Sequence, residues 1–384
     1  TSSGNWSNTA TWGGNPVPTA SDDVTINNGI NVTVNAAAYC NTLTTANSGT
    51  LTISGTNTLT VTGLINMFRP SANNTSFTIA VGTGSLVAGA LTMNATTTTR
   101  NNIITISTGT VTINGTVTTG TTGCQFVFTG NGLLKFGGSF SGGPASLTAA
   151  NGTIEYTGTA PVIQAFTGNY YNLVYSGNGT TANPSGNLNI QGNLLNTGGG
   201  TLNFYARNVS LSGTTVSNTI DGFTTTGTVT MSKTAGTATF TGNVNASVLT
   251  INGSGGTLNL GTGLTHTVTG NWTRTNGTLD GGSSLLKIAG SVSGTGGSFA
   301  ANTGTIEWNA AGAQTLAAVA YNNLILSGGG AKTMPAGTAI TNNLLINGPT
   351  ASIAAGQNIS VGSLTLGGYN KINGTWGSTS SAAT

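Results

Sequence analysis

Six carboxylates, one histidine and two cysteines hold most of the acid–base and nucleophilic capacity of this 384-residue chain. The carboxylates are Asp22, Asp23, Glu155, Asp221, Asp280 and Glu307. Glycoside cleavage needs two carboxyl groups facing one sugar. Asp22-Asp23 offers one half of such a pair, in a predicted loop after Pro18-Thr19-Ala20-Ser21, and nothing in the sequence offers the other half. Asp221-Gly222 and Asp280-Gly281 have the pattern of turns. His266 lies in the strand-like run Thr265-His266-Thr267-Val268-Thr269. A Ser-His-Asp triad or a histidine metal site would depend on that one ring, so an ordinary strand position, outward or packed, is expected. These residues predict no catalytic centre, no metal site and no cofactor.

Charge is scarce: nine Lys or Arg, six Asp or Glu, 4% of the chain, and a net charge of +3. No two cations are adjacent, and phosphate binding needs clustered Lys and Arg, so no nucleic-acid partner is expected. One charge pattern does repeat. Lys135 precedes Glu155, and Lys287 precedes Glu307, by the same interval. If that interval is close to one turn of a repetitive fold, each pair meets on neighbouring turns as a structural ion pair. Two unrelated solvated charges is the competing reading.

Short alternating runs supply the elements that would carry these residues. Val24-Thr25-Ile26, Val32-Thr33-Val34, Leu51-Thr52-Ile53, Val111-Thr112-Ile113 and Leu364-Thr365-Leu366 are examples. Alternation at period two with β-branched residues marks strands. The runs end in Gly, Asn or Ser, including Asn114-Gly115 and Asn252-Gly253, residues that make tight turns. Helix formers are almost missing, and no stretch is long and apolar enough to span a membrane as a helix. Thr42-Leu43-Thr44, Thr50-Leu51-Thr52 and Thr58-Leu59-Thr60 recur at a constant interval. Three such strands with their corners make a turn of roughly 20–25 residues. The fold class predicted is all-β, a right-handed parallel β-helix (β-solenoid) running through residues 1–384 as one continuous stack.

A longer repeat supports this. Leu133-Leu134-Lys135-Phe136-Gly137-Gly138-Ser139 matches Leu285-Leu286-Lys287-Ile288-Ala289-Gly290-Ser291, and Gly152-Thr153-Ile154-Glu155-Tyr156 matches Gly304-Thr305-Ile306-Glu307-Trp308. Asn172-Leu173-Val174-Tyr175-Ser176-Gly177 then matches Asn323-Leu324-Ile325-Leu326-Ser327-Gly328, one residue out of step. Residues 132–195 and 284–346 therefore read as internal duplicated blocks. Each coil of a solenoid touches only its neighbours, so whole blocks can be copied.

Open ends of such a stack expose strand edges and need caps. Residues 1–40 are expected to form an amino-terminal capping region, with Trp6 and Trp12 over the end of the core. Trp272, Trp308 and Trp376 are candidates for stacking on sugars, and Tyr170-Tyr171 for an exposed contact. Cys40 and Cys124 fall about four coils apart, beyond the reach of a disulfide, whose Cα atoms must lie within about 7 Å. Thr makes up 75 residues, which raises ice binding as an alternative. That would need hydroxyls repeated once per coil, and the sequence positions of the Thr-x-Thr runs show no such interval.

Gly4-Asn5-Trp6-Ser7-Asn8-Thr9-Ala10-Thr11-Trp12, then Pro16-Val17-Pro18 and Asp22-Asp23-Val24-Thr25-Ile26, resembles the opening of glycine-rich extracellular β-helical domains in large secreted proteins of the Bacteroidota. Tyr369-Asn370-Lys371-Ile372-Asn373-Gly374-Thr375-Trp376-Gly377-Ser378-Thr379-Ser380-Ser381 resembles the unit ends of their repetitive surface adhesins. The resemblance implies export, often by the type IX route, and a role in adhesion or surface layers. The expected function is thus a secreted, non-enzymatic structural or adhesive protein, extracellular or on the cell surface. Its expected partners are copies of itself, end to end in a filament, or surface polysaccharide. A carbohydrate-active or carbohydrate-binding β-helix is the main alternative, and ice binding the second.

Overall fold

The computed structural model describes residues 1–371, and they form a parallel β-solenoid of about 16 turns of about 21 residues. The chain divides into two compact units, Thr1–Gly213 and Thr214–Thr384. Both are built the same way.

In the first unit the strands Asp23–Ile26, Ile30–Val34 and Ala38–Cys40 make three sides of one coil. Thr42–Thr45, Gly49–Ile53 and the first half of Thr58–Met67 lie directly on them, in parallel register. The three equally spaced Thr-x-Thr runs of the sequence are therefore the three sides of a single coil. One sheet shows the stacking in full. Gly4–Asn5, Ile30–Val34, Gly49–Ile53, Thr75–Val81, Arg100–Ile106, Cys124–Phe128 and Ser146–Thr148 are neighbours in that order. In the second unit Phe223–Thr224, Val244–Ala246, Thr265–Val268, Leu285–Ile288, Thr305–Trp308, Ala320–Leu326, Ala339–Ile346 and Ser363–Leu366 stack likewise. Tyr369–Asn370 then turns back antiparallel on Ser363–Leu366 through Gly367-Gly368.

Alternation puts every second side chain inward. Val32, Leu51, Ile79, Ile104, Phe126 and Leu147 form one buried column, each in register with the next. Burying each such side chain stabilises by about 1.5–3 kcal/mol. Trp272 and Trp308 are fully buried in the second unit, and Tyr170 is buried in the first. This corrects their reading as surface contacts: the rings are part of the packed core, where smaller side chains would leave voids. The Tyr170 hydroxyl lies 2.9 Å from that of Tyr156 and donates to the Gln164 carbonyl, so its polar tip is satisfied inside.

Corners are tightened by glycine. A Cβ on Gly115 would sit 2.5 Å from the Gly89 carbonyl oxygen, and one on Gly89 would sit 2.4 Å from that of Thr62. The backbone of one corner therefore rests directly on the corner below.

The amino-terminal end is covered. Gly4–Asn5 adds a short strand to Ile30–Val34, and a 3-10 turn follows at Thr9–Trp12. Trp6 is 1% exposed, and Trp12 packs edge-on against it at 4.9 Å between ring centroids. The Trp12 indole donates to the Trp6 carbonyl at 2.7 Å. Trp376 and most of the carboxy-terminal resemblance lie outside the described residues.

Candidate functional site

Positions facing outward along each coil are occupied by hydroxyl and amide side chains, and the register stacks them. On one side of the first unit Thr25, Thr44, Asn66, Thr92, Thr118 and Ser141 are successive partners. In the second unit Ser217, Thr237, Thr257, Thr278 and Ser298 form a column, and Thr230, Thr250, Thr273 and Ser293 form another. Neighbouring hydroxyls touch in places: Thr118 and Ser141 at 3.2 Å, Thr278 and Ser298 at 2.7 Å.

These columns refine the sequence reading: Thr-x-Thr pairs do not return once per coil, but single hydroxyl or amide groups do. Between partners of the first column the chain advances 19, 22, 26, 26 and 23 residues. Corners of different length hide a repeat that is regular in space. Beside the column in the second unit is a shallow open depression lined by Ser254, Asn276, Thr278 and Ser298, floored by glycine.

Most of the acidic residues have structural partners. Asp22 Oδ2 accepts from the backbone N–H and the hydroxyl of Thr19, both at 2.7 Å, and these bonds hold its carboxyl below the usual range. Asp23 opens a strand rather than sitting in the loop, and accepts from Asn41 and Thr42. Asp221 accepts from the Thr241 hydroxyl. Asp280 ties three coils together, accepting from Asn259 below and Asn302 above and from the Gly282 N–H beside it. Among the described residues no three His, Cys, Asp or Glu side chains gather where a metal could bind.

Lys135 and Glu155 are strand partners, as are Lys287 and Glu307. Their ion pairs measure 3.0 and 3.3 Å. A third rung completes each: the Ser176 hydroxyl donates to Glu155 Oε1 and the Ser327 hydroxyl to Glu307 Oε1, both at 2.6 Å. The duplicated blocks thus carry the same Lys–Glu–Ser ladder over three coils. Each lysine is about one-third exposed, so each ion pair contributes about 0–1 kcal/mol. The serines stood inside the sequence repeat, one residue out of step, and their link to the pairs needed the register.

His266 is 1% exposed and stacks 5.1 Å from the Phe240 ring centroid. Nδ1 accepts from the Val244 N–H at 3.1 Å, which leaves Nε2–H to donate to the Leu260 carbonyl at 2.8 Å. The ring is held neutral in one tautomer, and burial lowers its pKa. Cys40 and Cys124 are free and buried. Burial, with the Asp23 charge as a smaller influence, pushes the Cys40 thiol up to about 12.

Sequence reading missed that some cations point inward. Arg274 lies 5.3 Å from the Trp272 ring centroid and donates to the Gly297 carbonyl. Lys332 is fully buried and donates to the carbonyls of Ala310 and Gly312 at 2.8 and 2.9 Å. Lys233 is 1% exposed and donates to Asn218. Alternation could have told them apart: Lys332 falls on the face of Met334 and Lys233 on that of Met231, whereas Lys135 and Lys287 fall between inward residues.

Comparison of the chain with protein families, curated proteins and solved structures gives no match.

Proposed function

We propose that this protein is an extracellular, non-enzymatic adhesive scaffold whose outer columns hold neutral surface polysaccharide. The observation that carries this reading is the stacking of partly exposed hydroxyl and amide groups once per coil, as in Ser217, Thr237, Thr257, Thr278 and Ser298. Coils lie about 4.8 Å apart, so a column presents regularly repeated donors and acceptors to an extended glycan chain. Each contact is weak. Many in a row add through effective concentration. The resemblance to secreted Bacteroidota surface proteins supports the same role and an extracellular address.

The columns favour a glycan over ice. Ice binding would need paired hydroxyl ranks, and the rank beside Ser217–Ser298 runs Thr219, Thr239, Asn259, Asp280, Ala300. Its hydroxyls stop after two coils. The test is retention of the purified protein on columns of neutral polysaccharide, such as cellulose and dextran, over a salt gradient. Retention that changes less than about twofold with salt is expected, because screening acts on charges. Passage through every such column unretained, or release by moderate salt, would refute the proposal.

A further inference from the structure

Two polar side chains meet inside the apolar core of the second unit. Asn218 occupies an inward position of the strand Ser217–Ile220, opposite Ala238, and is 3% exposed. Lys233 follows the strand Thr228–Met231 and is 1% exposed. Lys233 Nζ lies 2.5 Å from Asn218 Oδ1. A carbonyl bond is about 1.23 Å long, so Nζ stands no more than about 3.7 Å from the carboxamide carbon. Reacting atoms in a productive pose stand about 3–3.5 Å apart. Asn218 Nδ2 is buried without a hydrogen-bond partner, and an orphaned amide N–H there is costly. The next coil makes room for the pair: a Cβ on Gly256 would fall 2.5 Å from Lys233 Cβ.

We propose that Lys233 and Asn218 join in an intramolecular isopeptide bond, with loss of ammonia. The neutral Lys233 amine attacks Asn218 Cγ. A Cγ–Nζ bond forms, the Cγ–Nδ2 bond breaks, and one Nζ proton passes to Nδ2, which leaves as ammonia. No oxidant or other reactant is consumed. Burial lowers the Lys233 pKa and so favours the amine over the ammonium. The product removes the buried amine and the orphaned Nδ2 group together.

Lys332 is the internal comparison. It is a strand partner of Gln314, yet its Nζ turns to backbone carbonyls. The Gln314 amide is held by Ile288, Gly290 and Ala310. No bond is expected there.

The experiment is mass spectrometry of the whole protein after several days at physiological temperature, followed by denaturation and trypsin. A mass about 17 Da below the sequence value is expected, since ammonia is the leaving group of the acyl transfer. Acylated Lys233 resists trypsin, so residues 208–274 should emerge as one peptide lacking ammonia, with no fragmentation inside the loop from 218 to 233. Imide formation at Asn252-Gly253 also loses ammonia but leaves cleavage at Lys233 intact. Lys233→Arg should restore the full mass, and Lys332→Arg should not. Cleavage at Lys233 in full yield from the aged wild-type protein would overturn the proposal.

Discussion

Acidification should destabilise this protein through a single ring. Nδ1 of His266 faces the Val244 N–H, so a proton there would set two donors against each other and break that bond. Nε2–H already donates to Leu260. Burial holds the folded pKa below the ordinary imidazole value of about 6.5, while the unfolded ring titrates near it. As pH falls, the unfolded chain takes up the proton first and stability drops. The contribution is complete above about pH 6.5 and is lost below it, by up to about 1.4 kcal/mol per pH unit until the folded ring also titrates. The chain has only one histidine. Ordinary carboxylates titrate near 4 and an α-amino group near 8, so the window belongs to His266. Denaturant midpoints measured at steps between about pH 5 and 7 read the slope. The NMR shift of the lone imidazole reads the folded pKa directly. His266→Gln should flatten the slope. A folded ring that titrates at or above 6.5, or a slope that survives in His266→Gln, would refute the reasoning.

Gly115→Ala should lower stability by about 1–3 kcal/mol, read as an earlier denaturant midpoint, because its Cβ would stand 2.5 Å from the Gly89 carbonyl oxygen. Glu155→Gln should cost about 1 kcal/mol or less, and a double-mutant cycle with Lys135→Met should isolate that small coupling. Cys40 and Cys124 should resist thiol reagents in native protein at pH 8 and react fully once it is denatured, since both thiols are buried and both pKa values are raised by burial.

Strand alternation was legible because β-branched residues and turn residues share one rhythm along the whole chain. Thr42, Thr50 and Thr58 lie at or next to the start of three sides of a coil, and their even spacing was enough to choose a solenoid over a sandwich. Lys135 and Glu155 could be matched because that stretch happens to keep a near-constant coil length, and the duplicated block repeats it. Thr25, Thr44, Asn66, Thr92 and Thr118 could not be matched, since corners between them differ in length and Asn stands in for Thr. Tyr170 read as exposed because tyrosine carries a polar tip, and only the Tyr156 and Gln164 partners explain how it enters the core. Lys233 and Lys332 were passed over because lysine reads as a surface residue, although alternation carries the signal: Lys233 keeps the parity of Val229 and Met231, and Lys332 that of Met334.

Hydrogen bonds between coils run along the stack, while each strand lies across it. A pull on the two chain ends therefore strips the solenoid from an end, one coil at a time, because every coil is held by its neighbours alone. With about 21 residues in a coil, each rupture pays out about 70 Å of chain. A chain wound this way yields in repeated small steps under load, and the coils not yet reached stay folded while it lengthens.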